Sequence, residues 1–467
     1  MSPVAIPIGA PMLTPNEPPV SLWPDPDALG PVTDLYQLTM MAGYHVNRRD
    51  HERATFEMFV RKLPEGRAFL VFAGLEQAIS DLLRLRFDAE QVAWLRRLPI
   101  FSHIPDAFFD RLTSLRFEGD VWAVPEGTIV FAGEPLLRVE AALPQAQWVE
   151  TFLLASIGYP TLVASKAARI VEAAKGRRLY DFGLRRGQGA MAGMIAARSS
   201  FIAGFTGTSN VEAARRLGIP CSGTMAHSWV QSFETETEAF EAYSRAFPDA
   251  TTLLVDTYDT IEGVRRAGAI EPRVTGIRID SGDVLDFGRK ARTILDEIAR
   301  TTTKILASGD LEERAIAHMS EAGAPFDGYG IGTELVTSRD APALSLVYKL
   351  VELEGKGRIK LSPGKKTYPL GKQVYRQFTE SGKFLRDDVT RADETRDGEP
   401  LLQRVVQNGR LAIPYPTVKE IRERCREQLA ALPDDLRGVD ASGVYPLTYS
   451  DQLEAEAVRL GVKPPPE

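Results

Sequence analysis

Between Arg177 and Leu335 the chain repeats one phrase: a short β-branched apolar run, a polar or glycine-rich loop, then an amphipathic stretch of helical period. The runs are RRLYDF, TTLLV (Thr251 to Val255), VTGIRI (Val274 to Ile279), TKILA (Thr303 to Ala307) and FDGYGI. Strands alternating with helices at this length predict βα units and a parallel sheet. Upstream, TDLYQLTMMAGYH has helical spacing, with Thr33 or Asp34 as its N-cap. Short alternating runs broken by Pro-Glu-Gly and Gly-Glu-Pro turns over 121–142 predict a small antiparallel β-module. Nine prolines within 1–31 remove backbone donors and fix φ, so this arm reads as a mobile or surface-draped tail. After Tyr348 come a basic stretch, LSPGKKTYPLGKQVYR, a hairpin around Asn408-Gly409 and a charged helix near Glu420 to Ala431. The expected organisation is the arm over 1–31, an N-terminal α+β domain over 32–150, a βα-barrel domain over 151–348 and a C-terminal appendage over 349–467.

Composition narrows the function classes. The 467 residues are 44% hydrophobic and 25% charged, as in a globular protein with a large core. A net charge of -7, from 56 Lys plus Arg against 63 Asp plus Glu, leaves no basic footprint for nucleic acid or an anionic membrane. An anionic ligand must therefore be held by local charge. Two cysteines, Cys221 and Cys425, suit a reducing compartment. No Lys or Arg precedes Arg48 and no apolar run approaches spanning length, so a cytoplasmic location is expected.

In parallel α/β folds the reacting residues follow the strands, at their C-terminal ends. The polar residues of the repeat fall there: Asp181 to Arg186, Asp256 and Asp259, Asp280 to Asp283, Ser308 to Asp310, and Gly332 to Glu334. GIRIDSGD (Gly276 to Asp283) sets Arg278 and Asp280 two apart, a cation and a carboxylate on one strand face that could grip a phosphorylated sugar. Its plainer reading is a helix start capped by Ser281 or Asp283. ASGDL (Ala307 to Leu311) and GIGTEL (Gly330 to Leu335) offer glycines where backbone amides can approach a phosphate. Of five histidines, His45, His51 and His103 lie outside the repeat and His318 within a helical stretch; His227, in SGTMAHSW, falls after the apolar GIPC segment, at another expected strand end. GQGAMA (Gly187 to Ala192) matches a dinucleotide-binding fingerprint. Arg185 and Arg186 immediately before it, and the lack of an acidic residue ending a second strand, argue against a dehydrogenase.

TDLYQLTM (Thr33 to Met40), DFGLRRGQG (Asp181 to Gly189), GTSN (Gly207 to Asn210), GTMAHSW (Gly223 to Trp229), GIRIDSGD and YGIGTEL (Tyr329 to Leu335) occur in the order that resembles the nicotinate phosphoribosyltransferases, of the type II phosphoribosyltransferase fold. The similarity runs from about Thr33 to Arg376, and more loosely beyond. It implies an α/β protein, an irregular βα barrel with an N-terminal domain, working as a homodimer with shared sites. The implied reaction forms nicotinate mononucleotide and pyrophosphate from nicotinate and phosphoribosyl pyrophosphate, with Mg²⁺ and coupled ATP hydrolysis, in NAD salvage.

Carried over by position, the resemblance puts the base between Phe182 and a Tyr36 lent by the other subunit. Arg185 faces the nicotinate or phosphate side, Arg278 the carboxylate or ribose phosphate, and Asp280 the ribose hydroxyls. Gly309, Gly332 and Thr333 cradle the 5'-phosphate, while Thr208, Ser209, Ser281, Gly282, Asp283 and Asp310 complete the substrate contacts. His227 is implied to be the histidine that ATP phosphorylates. Mg²⁺ is assigned to Asp280 and Asp310, with Asp256 a third possibility. Related nicotinamide enzymes carry an aspartate where Ser209 stands, so nicotinate is the expected base. The rivals are a nicotinamide or quinolinate phosphoribosyltransferase and a non-catalytic pyridine-nucleotide sensor.

Overall fold

The computed structural model describes residues 22–362, 367–441 and 443–462. Most of the proline-rich arm, 1–21, and part of the basic stretch, 363–366, lie outside the described residues. The end of the arm is tied down: the Gly30 N–H donates to the Arg86 carbonyl at 2.7 Å and the Trp148 indole donates to the Gly30 carbonyl at 3.1 Å.

The repeat folds as expected into a parallel sheet. Its six strands run in the order Gly207–Thr208, Arg178–Asp181, Gly328–Ile331, Lys304–Ala307, Gly276–Ile279, Thr252–Leu254. Each expected strand is present, trimmed by a residue or two at its ends. The two-residue strand Gly207–Thr208 is additional, and the GIPC segment contributes a single bridge, Cys221 to Thr208, in place of a strand. The sheet has two edges and no ladder between them among the described residues, so its strand pairing does not show a closed barrel. Strand alternation explains the core. Ile277, Ile279, Ile305, Ala307, Tyr329 and Ile331 face the covering helices and are buried in one apolar cluster, whereas Arg278 and Tyr180 occupy the other face.

The segment 121–142 does not stand alone. Asp120–Ala123 and Pro135–Ala142 belong to a seven-stranded antiparallel sheet ordered Lys356–Gly357, Leu346–Leu353, Arg53–Val60, Pro135–Ala142, Asp120–Ala123, Gln403–Gln407, Arg410–Leu411. Strands from 346–357 and 403–411 flank the N-terminal ones, so much of the expected C-terminal appendage completes the N-terminal sheet. The Asn408-Gly409 hairpin forms, with both residues at positive φ (49° and 69°), as a tight hairpin turn requires. A third sheet runs Glu399–Pro400, Lys372–Phe378, Phe384–Arg391, Leu447–Tyr449.

The helix Glu150–Ala174 joins the halves: Phe152, Leu153 and Ile157 enter the N-terminal core, and Val163 to Ala174 enter the core of the parallel sheet. Upstream, the helix Leu35–Val46 has Asp34 at its N-cap position, but that carboxylate makes no cap bond and instead accepts from the Thr151 hydroxyl at 2.8 Å. No helix among the described residues is long and apolar enough to cross a membrane.

Candidate active site

The reacting end of the parallel sheet is assembled from the turns after its strands. Asp256, two residues past Leu254, organises the DSGD turn: its Oδ2 accepts the Asp280 N–H at 2.9 Å and the Ser281 hydroxyl at 2.7 Å. Asp256 Oδ1 is buried and accepts no hydrogen bond among the described residues. Asp280 accepts the Ser308 hydroxyl through Oδ1, and its Oδ2 lies 4.0 Å from His227 Nε2. The other imidazole nitrogen, Nδ1, sits 3.1 Å from the Thr257 hydroxyl. Arg278 donates to the Met225 carbonyl at 3.0 Å, which fastens the GTMAHSW segment to this strand. His227 and Arg278 therefore lie at the same end of the sheet. His227 occupies the first turn of a short helix, His227–Gln231, and follows the single Cys221 bridge where the sequence predicts a full strand.

The Arg278 guanidinium carbon stands 6.0 Å from the centroid of the Phe182 ring. Burial pushes the guanidinium pKa down, Asp280 and Asp256 pull it back, and the nearby Arg185 adds to the lowering. Two guanidiniums and two carboxylates thus act in one field, an arrangement that can hold an anion while stabilising positive charge developing beside it. The aromatic wall depends on a glycine: a Cβ on Gly330 would sit 2.4 Å from the Phe182 ring. Gly309 has φ 85° and a Cβ there would lie 2.1 Å from the Asp280 carbonyl oxygen, so only glycine allows the ASGDL loop to lie against the DSGD turn. Gly332 and Thr333 follow the strand Gly328–Ile331 at the same end, where the Phe182 N–H donates to the Ile331 carbonyl at 2.8 Å.

Several expected site residues have structural duties. Asp283 caps the helix Val284–Glu297 by accepting from the Asp286 N–H, the plainer of the two readings of this motif. Ser281 gives its hydroxyl to Asp256, and Gly282 (φ 74°) makes the turn between them. Thr208 is 1% exposed and its hydroxyl donates to Asp181 at 2.7 Å, so it supports the pocket from behind. Ser209 is half-buried, its N–H and hydroxyl both donating to the Asp181 carbonyl. Arg185 and Asp310 are exposed at the rim. Tyr36 is not brought to Phe182 within the chain: it is 47% exposed, and its phenol pKa is raised by burial and then by Glu150, at the start of the helix Glu150–Ala174. The sequence reading does not single out Thr257, and it takes Gly330 as a phosphate-loop glycine where it instead makes room for the Phe182 ring; both roles depend on neighbours distant in the chain. GQGAMA does follow a strand and lead into the helix Ala190–Ala203, but the glycine just after it serves close packing, since a Cβ on Gly193 would meet the Leu184 side chain at 2.4 Å.

Comparison with known proteins agrees with this geometry. Residues 32–158 match the nicotinate phosphoribosyltransferase N-terminal domain, 177–393 the nicotinate phosphoribosyltransferase family and 396–455 its C-terminal domain. The chain is 45% identical over 436 residues to nicotinate phosphoribosyltransferase pncB2 of Mycobacterium tuberculosis, covering 92% of this chain and 93% of the relative. It is 36% identical to the Bacillus subtilis nicotinate phosphoribosyltransferase, covering 91% and 94%. Among solved structures, human nicotinic acid phosphoribosyltransferase superposes with a TM-score of 0.81 at 30% identity, over 92% of this chain and 100% of that one. Motif order, strand-end chemistry and these likenesses agree: the chain belongs to the nicotinate phosphoribosyltransferase family.

Proposed function

We propose that the protein joins nicotinate to phosphoribosyl pyrophosphate, giving nicotinate mononucleotide and pyrophosphate, with ATP hydrolysis coupled to the transfer. The observation that carries the reading is the convergence of Phe182, Arg278, Asp280 and His227 at the strand ends of a chain that belongs to this family. The pyridine nitrogen attacks C1 of the ribosyl group as the bond from C1 to pyrophosphate oxygen breaks, so positive charge grows on the sugar and negative charge on the leaving group. Asp280, buttressed by Ser308 and by Asp256 behind it, lies where a carboxylate stabilises the sugar, and Arg278 with Arg185 meets the anionic groups. Phe182 offers a face to the flat, electron-poor ring. Tyr36, exposed on the N-terminal half, suits a role as the opposing face in a neighbouring subunit's site, which makes the functional unit a homodimer. The strand order and the Thr208–Cys221 bridge fit an irregular barrel left open on one side.

Mg²⁺ fits this oxygen-rich end. Among the described residues no group of three or more His, Cys, Asp or Glu could hold a metal unaided, but Mg²⁺ is commonly held by one or two carboxylates together with substrate phosphates. The buried, unpartnered Asp256 Oδ1 is a ready donor, alongside Asp280 and Asp310. When bound, the ion would neutralise pyrophosphate charge.

For ATP coupling, a proton on His227 Nδ1 directed at the Thr257 hydroxyl leaves the Nε2 lone pair free to take the γ-phosphoryl group, releasing ADP. Later hydrolysis of the N–P bond returns phosphate and the free imidazole. Incubation with nicotinate, phosphoribosyl pyrophosphate, Mg²⁺ and ATP, following nicotinate mononucleotide and ADP together, tests the reading. Both should rise, and nucleotide formation without ADP would remove the coupling.

A further inference from the structure

We infer that Asp181 is a positioning residue for base recognition, locking the stacking ring and the GTSN loop into one unit from behind the pocket. The inference rests on the base-pocket reading above and extends it to a residue that touches no substrate. Asp181 is the last residue of the strand Arg178–Asp181, and alternation turns it away from the face that carries Tyr180 and Phe182. It is 1% exposed and has no ion pair among the described residues. A carboxylate so placed requires hydrogen-bond donors, and it has them. Oδ1 accepts the Gly183 N–H at 2.8 Å, fixing the turn on the far side of Phe182. Oδ2 accepts the Thr208 hydroxyl at 2.7 Å, and the Asp181 carbonyl accepts from the Ser209 N–H at 2.9 Å and the Ser209 hydroxyl at 3.1 Å.

The chemistry favours a carboxylate over other side chains here. Thr208 Oγ1 already accepts the Asn210 N–H at 3.0 Å, so the hydroxyl proton is free to be donated, and Asp181 takes it while also taking the Gly183 N–H. Asn210 in turn caps the helix Val211–Leu217. Gly183 is hemmed in as well: a Cβ there would lie 3.0 Å from Asp181 Oδ1 and 2.8 Å from Val336. One acceptor therefore spans two loops: that of the aromatic wall and that of the serine whose neutrality favours an anionic base. An amide keeps one bond and can replace the other, with Nδ2 donating to Thr208 once its hydroxyl turns away. Alanine loses both.

The test is steady-state kinetics of wild type, Asp181→Ala, Asp181→Asn and Thr208→Val, with nicotinate and nicotinamide as competing bases. Asp181→Ala should raise the nicotinate KM by about tenfold or more while the phosphoribosyl pyrophosphate KM stays within about threefold. Its preference for nicotinate over nicotinamide should fall by about tenfold, and Asp181→Asn should restore most of both. Thr208→Val should move the same two quantities in the same direction by less, and with Asp181→Asn it decides the matter if the alanine variant does not fold. Unchanged base selectivity, or equal rises in both KM values, would overturn the inference and leave the functional reading standing. A wild-type protein that turns over no nicotinate would overturn the reading itself.

Discussion

Ser209 is half-buried beside Asp181, where a second carboxylate would face the carboxylate of the incoming base. A buried like-charge encounter costs several kcal/mol. Ser209→Asp should therefore raise the nicotinate KM by about a hundredfold or more and affect nicotinamide far less, which competition kinetics would show. His227→Ala should abolish nicotinate-stimulated ADP release and leave a slow transferase. Unchanged coupling in that variant would refute phosphorylation of this imidazole. Gly309→Ala forces a Cβ to within 2.1 Å of the Asp280 carbonyl at φ 85°, so the DSGD turn must shift. A loss of about tenfold or more in kcat/KM is expected, with far-UV circular dichroism unchanged. At this scale the motifs point to Arg278, Asp280 and His227, whose side chains carry their own chemistry and which the fold brings to one end of the sheet. The Asp283 cap, a contact three residues away, is one of the two readings that its motif offers. That Ser281 serves Asp256 and that Thr257 meets the imidazole are facts of three-dimensional neighbourhood.

Elements were legible wherever local pattern and tertiary demand agreed. The β-branched runs form strands whose alternate residues are buried in one apolar cluster, and Asn408-Gly409 turns because both residues adopt positive φ. The strand Gly207–Thr208 was invisible, since two residues carry no period and its existence rests on pairing with Tyr180 and Asp181. Asp34 shows the converse: the residue type is right for a cap, but Thr151 from the long helix takes its carboxylate. The helix Val418–Ala431 begins with a full capping box, Thr417 accepting from the Glu420 N–H and Glu420 accepting from the Thr417 N–H. Thr417→Ala should cost about 1 kcal/mol in denaturant unfolding. Because Arg422 of this helix donates to the Phe201, Gly204 and Phe205 carbonyls at the end of the helix Ala190–Ala203, that loss should also raise amide exchange there.

For the whole molecule, buried charge joins segments that are remote in sequence. Arg67, Lys166 and Arg169, all buried, meet the buried Glu313 and the partly exposed Asp340. Burial alone would raise the Asp340 carboxyl, but the hydrogen bonds and charge of Arg67, followed by Lys166, outweigh it and hold the carboxyl down at about 2. The folded value lies below the unfolded one, so the ionised form favours the fold. Its contribution, reduced by the solvent that reaches this carboxyl, is present above about pH 4 and disappears as the pH falls through about 2. Asp340→Asn should lower the stability at pH 7, and the gap to wild type should close on acidification. Elsewhere Arg376 and Asp387, both fully buried, form an ion pair at 2.6 Å between two strands of the third sheet, and Tyr445 also donates to Asp387. Arg376→Met should cost about 3 kcal/mol or more by stranding that carboxylate, measurable as a lower midpoint in urea. None of these long-range pairings is written in local periodicity, nor is the pairing of 403–411 with the first sheet, which is why the last quarter of the chain reads as an addition.

The sheet that interleaves early and late strands sets a schedule for biosynthesis. Within it Glu57 pairs with Lys349, 292 residues downstream. At roughly 5–20 residues per second, a ribosome would need about fifteen seconds to a minute to deliver that partner. Throughout that interval the nascent Arg53–Val60 strand has one edge with nothing to zip against, so ribosome-bound intermediates should be avid clients of holdase chaperones. A messenger cut short before codon 346 should yield inclusion bodies, whatever the completeness of the catalytic motifs it encodes.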